Sequence, residues 1–271
     1  SFKMSYTHMS QSIHRMASSF LELPTDFWVP TTNEIKPTMS HQIAAGIYTQ
    51  PSTHLTLSLE AYYKLSSHLL QYRHWMGFQP SAATWNRDVA DGKGKSYGME
   101  ADATYTTGNT KVSMAYTLSW SKRLFKDIYP TWFDDQFDNR HKINISLSHD
   151  FSQRISLYAA WTFHSGNRVT MPVGYTIQPN IPGDNKYSYD YIFDRSNNFS
   201  LPAYHRMDIG ANFRHTTRHG KEGIWNVSLY NAYCHLNTMY VKVRLDDNNK
   251  FQIKSHGYIP IIPSVSYTLK F

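Results

Sequence analysis

Three sets of side chains in this sequence have types and spacings that could do chemistry. The first set is charged and falls in strand-like segments: Glu60, Glu100, Asp102, Lys142, Arg206 and Asp208. Glu100 and Asp102 are two residues apart, so on an extended strand they share a face at a separation of about 7 Å. Paired carboxylates so placed suit general acid/base work. Hydration, or ion pairing with another part of the protein, explains them more simply. The second set is Asp134, Asp135 and Asp138, all in one connecting segment. It could hold a cation or serve a protease, but a solvated acidic loop is the plainer expectation. The third set is aromatic: Trp75, Phe78 and Trp85 in one connection, and Tyr187, Tyr189 and Tyr191 in another. Rings in exposed loops stack on sugars, haem or other flat ligands. They equally pack loop against loop or against a protein partner, and the sequence does not choose.

Other chemistry is argued against. The chain has 14 histidines, but no His-x-x-x-His pair lies on a helix beside an acid, so no metal site is expected. The single cysteine, Cys234, excludes an internal disulfide, and it is expected to be a small buried hydrophobe. No phosphate loop, nucleophile elbow or dinucleotide fingerprint is present, so neither enzymatic activity nor a cofactor is expected. The net charge is +7, but the cations are scattered rather than clustered. That distribution suits anionic lipid or solvent, not nucleic acid.

The elements that must position these residues are strands. No apolar run approaches the ~18–20 residues of a spanning helix, and the mean hydropathy is -0.53. Period-two alternation instead recurs along the 271 residues. Leu55, Leu57, Leu59, Ala61 and Tyr63 alternate with polar neighbours; so do Val112, Met114, Tyr116, Leu118 and Trp120. The pattern predicts about ten strands, most about ten residues long, at 2–9, 38–49, 53–64, 95–106, 110–122, 140–151, 154–165, 203–214, 223–235 and 260–271. That length spans a bilayer when tilted, whereas soluble sandwiches use shorter strands. Short connections alternate with long ones at 10–37, 66–94, 123–138, 166–202 and 236–259. Tight turns at one end and large loops at the other are the pattern of an antiparallel outer-membrane β-barrel. Tyr97, Tyr105, Trp120, Trp161, Phe163 and Tyr267 fall near strand ends, where aromatic belts form.

Several motifs then resemble a known family. Leu59-Glu60-Ala61-Tyr62-Tyr63-Lys64, Ser96-Tyr97-Gly98-Met99-Glu100 and Tyr116-Thr117-Leu118-Ser119-Trp120-Ser121 are similar to C-terminal barrel segments of TonB-dependent receptors. So are Asp138-Asn139-Arg140-His141, Leu201-Pro202-Ala203-Tyr204-His205-Arg206, Tyr230-Asn231-Ala232-Tyr233 and Ile262-Pro263-Ser264-Val265. The style is closest to receptors of the Bacteroides lineage. The last strand, ending on Phe271, resembles the signal read by outer-membrane assembly machinery. This places residue 271 and residue 1 on the periplasmic side.

The resemblance implies a barrel of about 22 strands with an N-terminal plug, of which residues 1–271 would be the C-terminal segment. It implies uptake of a scarce nutrient such as a siderophore, cobalamin, glycan or peptide. The partners would be outer-membrane lipid, the plug and N-terminal barrel half, TonB reached through that N-terminal part, and a surface lipoprotein. The six charged strand residues would face the lumen, holding the plug and lining the solute path. A different class stays open: a stand-alone ten-stranded barrel acting as a protease or adhesin, which would require the first and last strands to pair.

Overall fold

The structure is a computed structural model that describes residues 1–16, 27–73, 85–178, 188–218, 220–246, 248 and 250–270. Among these residues, ten long strands form one antiparallel sheet in chain order. They are β1 (Phe2–Gln11), β2 (Thr38–Ser52), β3 (Leu55–Tyr72), β4 (Val89–Thr107) and β5 (Thr110–Leu124). They continue with β6 (His141–Asp150), β7 (Ile155–His164), β8 (Tyr204–Thr216), β9 (Glu222–Tyr230) and β10 (Ile262–Lys270). A two-residue strand, Phe133–Asp134, pairs with the end of β5. Among the described residues β1 pairs only with β2 and β10 only with β9, so the sheet is open.

Register carries one apolar face through the sheet, because directly opposed residues share a face. Phe2 stands opposite Ile47, Ile47 opposite Leu59, Leu59 opposite Ala101, and Ala101 opposite Tyr116. Tyr116 meets Ile143, Ile143 meets Phe163, and Phe163 meets His205. Nearer the short turns, Ala211 lies between Leu157 and Val227, and Val227 meets Val265. This face is uncovered: Ile47 is 58% exposed, Met114 44% and Val265 65%. A contiguous apolar surface of that extent is costly in water. Rings border it at both ends. Tyr63, Tyr97 and Trp120 stack in a row toward the long loops. Trp225, Tyr267 and His215 gather toward the short turns.

The tight turn at Gly108 shows why the strands reverse there. Thr107 pairs with Thr110, leaving two central residues, and Gly108 takes φ 48°, which a hairpin of this length requires.

The structure corrects three strand boundaries. Residues 66–94 were expected to be a loop, yet β3 runs 18 residues to Tyr72 and β4 runs 19 residues from Val89. His68 is the cause: it adopts φ 58°, and the register shifts between Ser67 and Leu69. This one-residue bulge reverses the parity of β3, so a strict period-two reading stops short. The strand expected over 223–235 ends at Tyr230, where Asn231 and Cys234 both take φ 54°.

Beyond the bulge, both faces of the β3–β4 extension are covered. Tyr72 and Val89 pack with Met16, Val29 and Ile35 on one face. Leu69 and Ala90 pack with Phe125 and Phe133 on the other. A third cluster joins Val169, Met171 and Leu201 to Val241 and Val243 of the last long connection.

Candidate functional site

The face opposite the apolar band carries the six charged residues named from sequence, and the structure divides them into three groups. Glu60 and Glu100 are directly opposed across β3 and β4, and Asp102 is opposed to Ser58. The Tyr48 hydroxyl donates to Glu60 at 2.7 Å, and the Ser58 hydroxyl donates to Asp102 at 3.2 Å. Among the described residues no cation pairs with these three acids. Like charges directly opposed destabilise a strand pair. The acidic patch is therefore the open electrostatic handle of this face.

Arg206 and Asp208 are instead a satisfied pair on β8, with nitrogen and oxygen 2.9 Å apart. The guanidinium also donates to the Tyr204 hydroxyl at 3.0 Å and lies over the Tyr230 ring at 4.1 Å. Asp208 accepts the backbone N–H of Asn231 at 2.9 Å, which ties the pair to the end of β9. Lys142 stands apart on β6, opposite Thr117 and His164. Between these groups the face is polar but uncharged. The Tyr158 ring lies over Gly210, where a Cβ would come within 2.3 Å of it, and the Tyr158 hydroxyl accepts from Asn226 at 3.2 Å.

The acidic connection after β5 differs from expectation. It is an ion-pair network at the long-loop end, not a solvated loop. The Asp138 side chain is 0% exposed, and Asp135 is buried. Asp138 accepts the Ser121 backbone N–H at 2.7 Å and pairs with Arg140 at 3.1 Å and Arg168 at 3.7 Å. Arg123 meets Asp135 at 2.6 Å, and Arg168 meets Asp134 at 3.2 Å. Asn139 donates to the Ser165 carbonyl at 2.8 Å and to Asn167 at 2.6 Å. These contacts fasten the 125–140 connection to residues 165–168. Sequence gave one signal for them, the Asp138-Asn139-Arg140 run, but Arg123 and Arg168 are too distant along the chain to be linked to it by spacing.

The aromatic candidates fare unevenly. Trp75, Phe78 and Tyr187 lie outside the described residues, as does Phe271. Tyr189 lies in the strand Ser188–Ile192. Trp85 begins a 3-10 turn and packs half-buried on the cluster around Tyr72 and Val89. Tyr191 is 40% exposed and approaches Phe251 at 6.3 Å between ring centroids. Tyr175, which sequence reasoning missed, meets Phe251 edge-on at 5.8 Å. Nearby, Asn198 donates to Asp194 at 2.6 Å, and this bond above all holds the Asp194 carboxyl below its usual range. Cys234 is exposed, contrary to expectation, because the turn after Tyr230 carries it off the sheet.

Among the described residues no cluster of three or more His, Cys, Asp or Glu side chains is placed to hold a metal ion. Two shallow hollows, about 820 and 490 Å³, lie mostly on the apolar face beside Leu157, Ala159 and Ala211 and beside Ile47, Leu59 and Met114. Both form where small residues sit between large ones, and neither gathers convergent polar groups of the kind a ligand site needs.

Comparison with known proteins gives one family and a consistent fold. Residues 2–233 match the family model described as TonB dependent receptor-like, beta-barrel. FpvA of Pseudomonas aeruginosa, solved as a complex with a heterologous pyoverdine and iron, is similar at 12% identity and a TM-score of 0.55. The alignment covers 98% of this chain and 30% of that one. The ferripyoverdine receptor of the outer membrane of Pseudomonas aeruginosa, bound to ferripyoverdine, aligns at 12% identity and a TM-score of 0.53, with the same coverage. The FrpB iron transporter of Neisseria meningitidis aligns at 12% identity and a TM-score of 0.48, over 88% of this chain and 31% of that one. No curated protein matches in sequence. The chain thus spans about a third of the length of the solved structures it resembles.

Proposed function

We propose a function from one fact: this chain belongs to the TonB dependent receptor-like β-barrel family. It is a transmembrane protein of the Gram-negative outer membrane, and its uncovered apolar face is the lipid-facing surface. Our reading is that residues 1–271 form the C-terminal barrel wall of a receptor for energised nutrient uptake. The observation that carries it is a single apolar band crossing all ten strands, backed by a polar, charged second face.

In this reading the polar face is the lumen. The unpaired Glu60–Glu100–Asp102 patch receives cationic groups of a plug, and Lys142 lies beside the solute path. Arg206 and Asp208 are internally satisfied and stiffen the wall. The plug and the remaining strands continue from the free edges of β1 and β10, since an unpaired edge is costly in lipid. TonB engages through the N-terminal part, and a surface lipoprotein docks over the long loops. Tyr191 contributes to ligand capture, and the same role is proposed for Trp75, Phe78, Tyr187 and Tyr189. Trp85 packs within the wall. No catalytic step is assigned to the chain. A closed ten-stranded protease or adhesin needs β1 joined to β10, a pairing absent among the described residues.

The substrate is a scarce nutrient carried as a siderophore, cobalamin, glycan or peptide complex. Ferric siderophores are the first to test, because the similar folds include a ferripyoverdine receptor. Deletion of the gene should abolish uptake of one labelled compound from such a panel, and a protonophore should abolish the same uptake in the intact strain. Unchanged uptake of every compound after deletion, or uptake indifferent to the protonophore, would sink this reading.

A further inference from the structure

The ribbon between β9 and β10 pairs Thr238–Leu245 with Phe251–Gly257 and has two unlike faces. Val241 and Val243 pack on the cluster around Leu201, and Phe251 packs on Tyr175 and Tyr191. The opposite face turns away from all of these. There Tyr240 stands opposite His256, Lys242 opposite Lys254, and Arg244 opposite Gln252. Lys242, Arg244 and Lys254 are exposed, and among the described residues none of them has an ion-pair partner. The next acid along the strand, Asp246, has its Oδ1 occupied by the backbone N–H groups of Asn248 and Lys250, each within 2.9 Å.

Two lysines directly opposed repel one another; Lys242 lies over the Tyr240 ring at 5.7 Å, and among the described residues no acid neutralises either lysine. Beside them the Tyr240 ring stacks on His256 at 4.8 Å and on Tyr258 at 5.8 Å, and the two phenols hydrogen-bond at 2.6 Å. Cations flanked by tyrosines suit a surface where polar head groups meet hydrocarbon.

We propose that this ribbon face binds the phosphate groups of lipid head groups in the outer leaflet. The face points away from the loops packed beneath it, so among the described residues its cations stay open to an anionic partner, and the tyrosines beside them suit a lipid head group. Phosphate oxygens accept hydrogen bonds from both ammonium groups and from the Arg244 guanidinium, which converts a repulsive pair into a shared site. The inference rests on the outer-membrane location and not on the uptake reading.

The test uses the protein purified from outer membranes in detergent. Binding is followed by thermophoresis against three probes: a diphosphorylated lipid A, its dephosphorylated form, and inorganic phosphate. The phosphorylated lipid should bind, more weakly as salt rises. The double variant K242Q/K254Q should bind it roughly thirty-fold more weakly, since each cation near an anionic surface contributes roughly five-fold. Arg244→Gln should weaken it roughly five-fold, and this variant serves if circular dichroism shows the double variant unfolded. Equal binding of the dephosphorylated lipid overturns the proposal in favour of a sugar or protein contact. Full competition by millimolar inorganic phosphate overturns it in favour of a soluble anion. Wild-type affinity in a folded variant overturns it outright.

Discussion

The wall of the sheet and its long-loop rim are held by different physics. In the wall, each strand repeats the same arrangement: ladder hydrogen bonds sideways, one apolar side chain toward lipid, one polar side chain away. No wall residue is singular, and a neighbour two positions away does the same work. At the rim, stability is concentrated in three small apolar clusters and one ion-pair network, built from residues far apart in sequence. Repetition tolerates change, whereas a network with a fully buried carboxylate at its centre does not. Function can therefore diversify along the polar wall, and rim changes must preserve the network.

The largest expected effect tests the rim. Asp138→Ala leaves Arg140 and Arg168 without their shared buried partner, and loss of one member of a buried pair costs about 3–5 kcal/mol. Urea unfolding of the vesicle-inserted protein, followed by tryptophan fluorescence, should show a lowered midpoint. A wild-type midpoint would mean that the rim is as forgiving as the wall.

A paired substitution sharpens the contrast within the wall. Ile145 lies mid-strand on the lipid face, between Met114 and Trp161, while its neighbour Asn144 lies on the polar face between Ala115 and Thr162. Ile145→Arg should cost about 2–4 kcal/mol at the bilayer midplane. Asn144→Arg should stay within roughly 0.5 kcal/mol, as exposed polar substitutions do. Equal costs in the same unfolding assay would mean that the two faces are not lipid and water.

The smallest effect is at the short-turn end. Lys270 and Glu222 pair at 3.0 Å with both side chains exposed. Glu222→Gln should change stability by about 0.2–1 kcal/mol, and less in high salt. A larger loss would show that this end too has a network.

The same contrast explains what could be read in the sequence. All ten wall strands were legible, because period two is a local property and the lipid face enforces it over each strand. The charged residues of the polar face were legible for the same reason: Glu60 and Asp208 fall opposite apolar neighbours in the alternation. Their grouping was not, since whether Asp208 meets Arg206 or Glu60 meets Glu100 depends on rotamers and register. The rim was legible least. Asp138 looks like a loop acid until Arg168 is brought to it, and Cys234 looks like a strand hydrophobe until Asn231 turns the chain.

One residue sets the boundary between these regimes. Before His68, odd-numbered side chains of β3 face lipid; beyond it, Leu70 and Tyr72 take that side and Leu69 and Gln71 the other. The strand thus behaves like a text with a single inserted letter: skip that letter, and the lines on both sides of it read in one unbroken alternation. Deleting His68 would make Ser67 and Leu69 consecutive opposite Lys93 and Gly92, so every side chain would keep its face and the strand would become regular; inserting one residue into the ladder beyond it would instead present the remainder inside out.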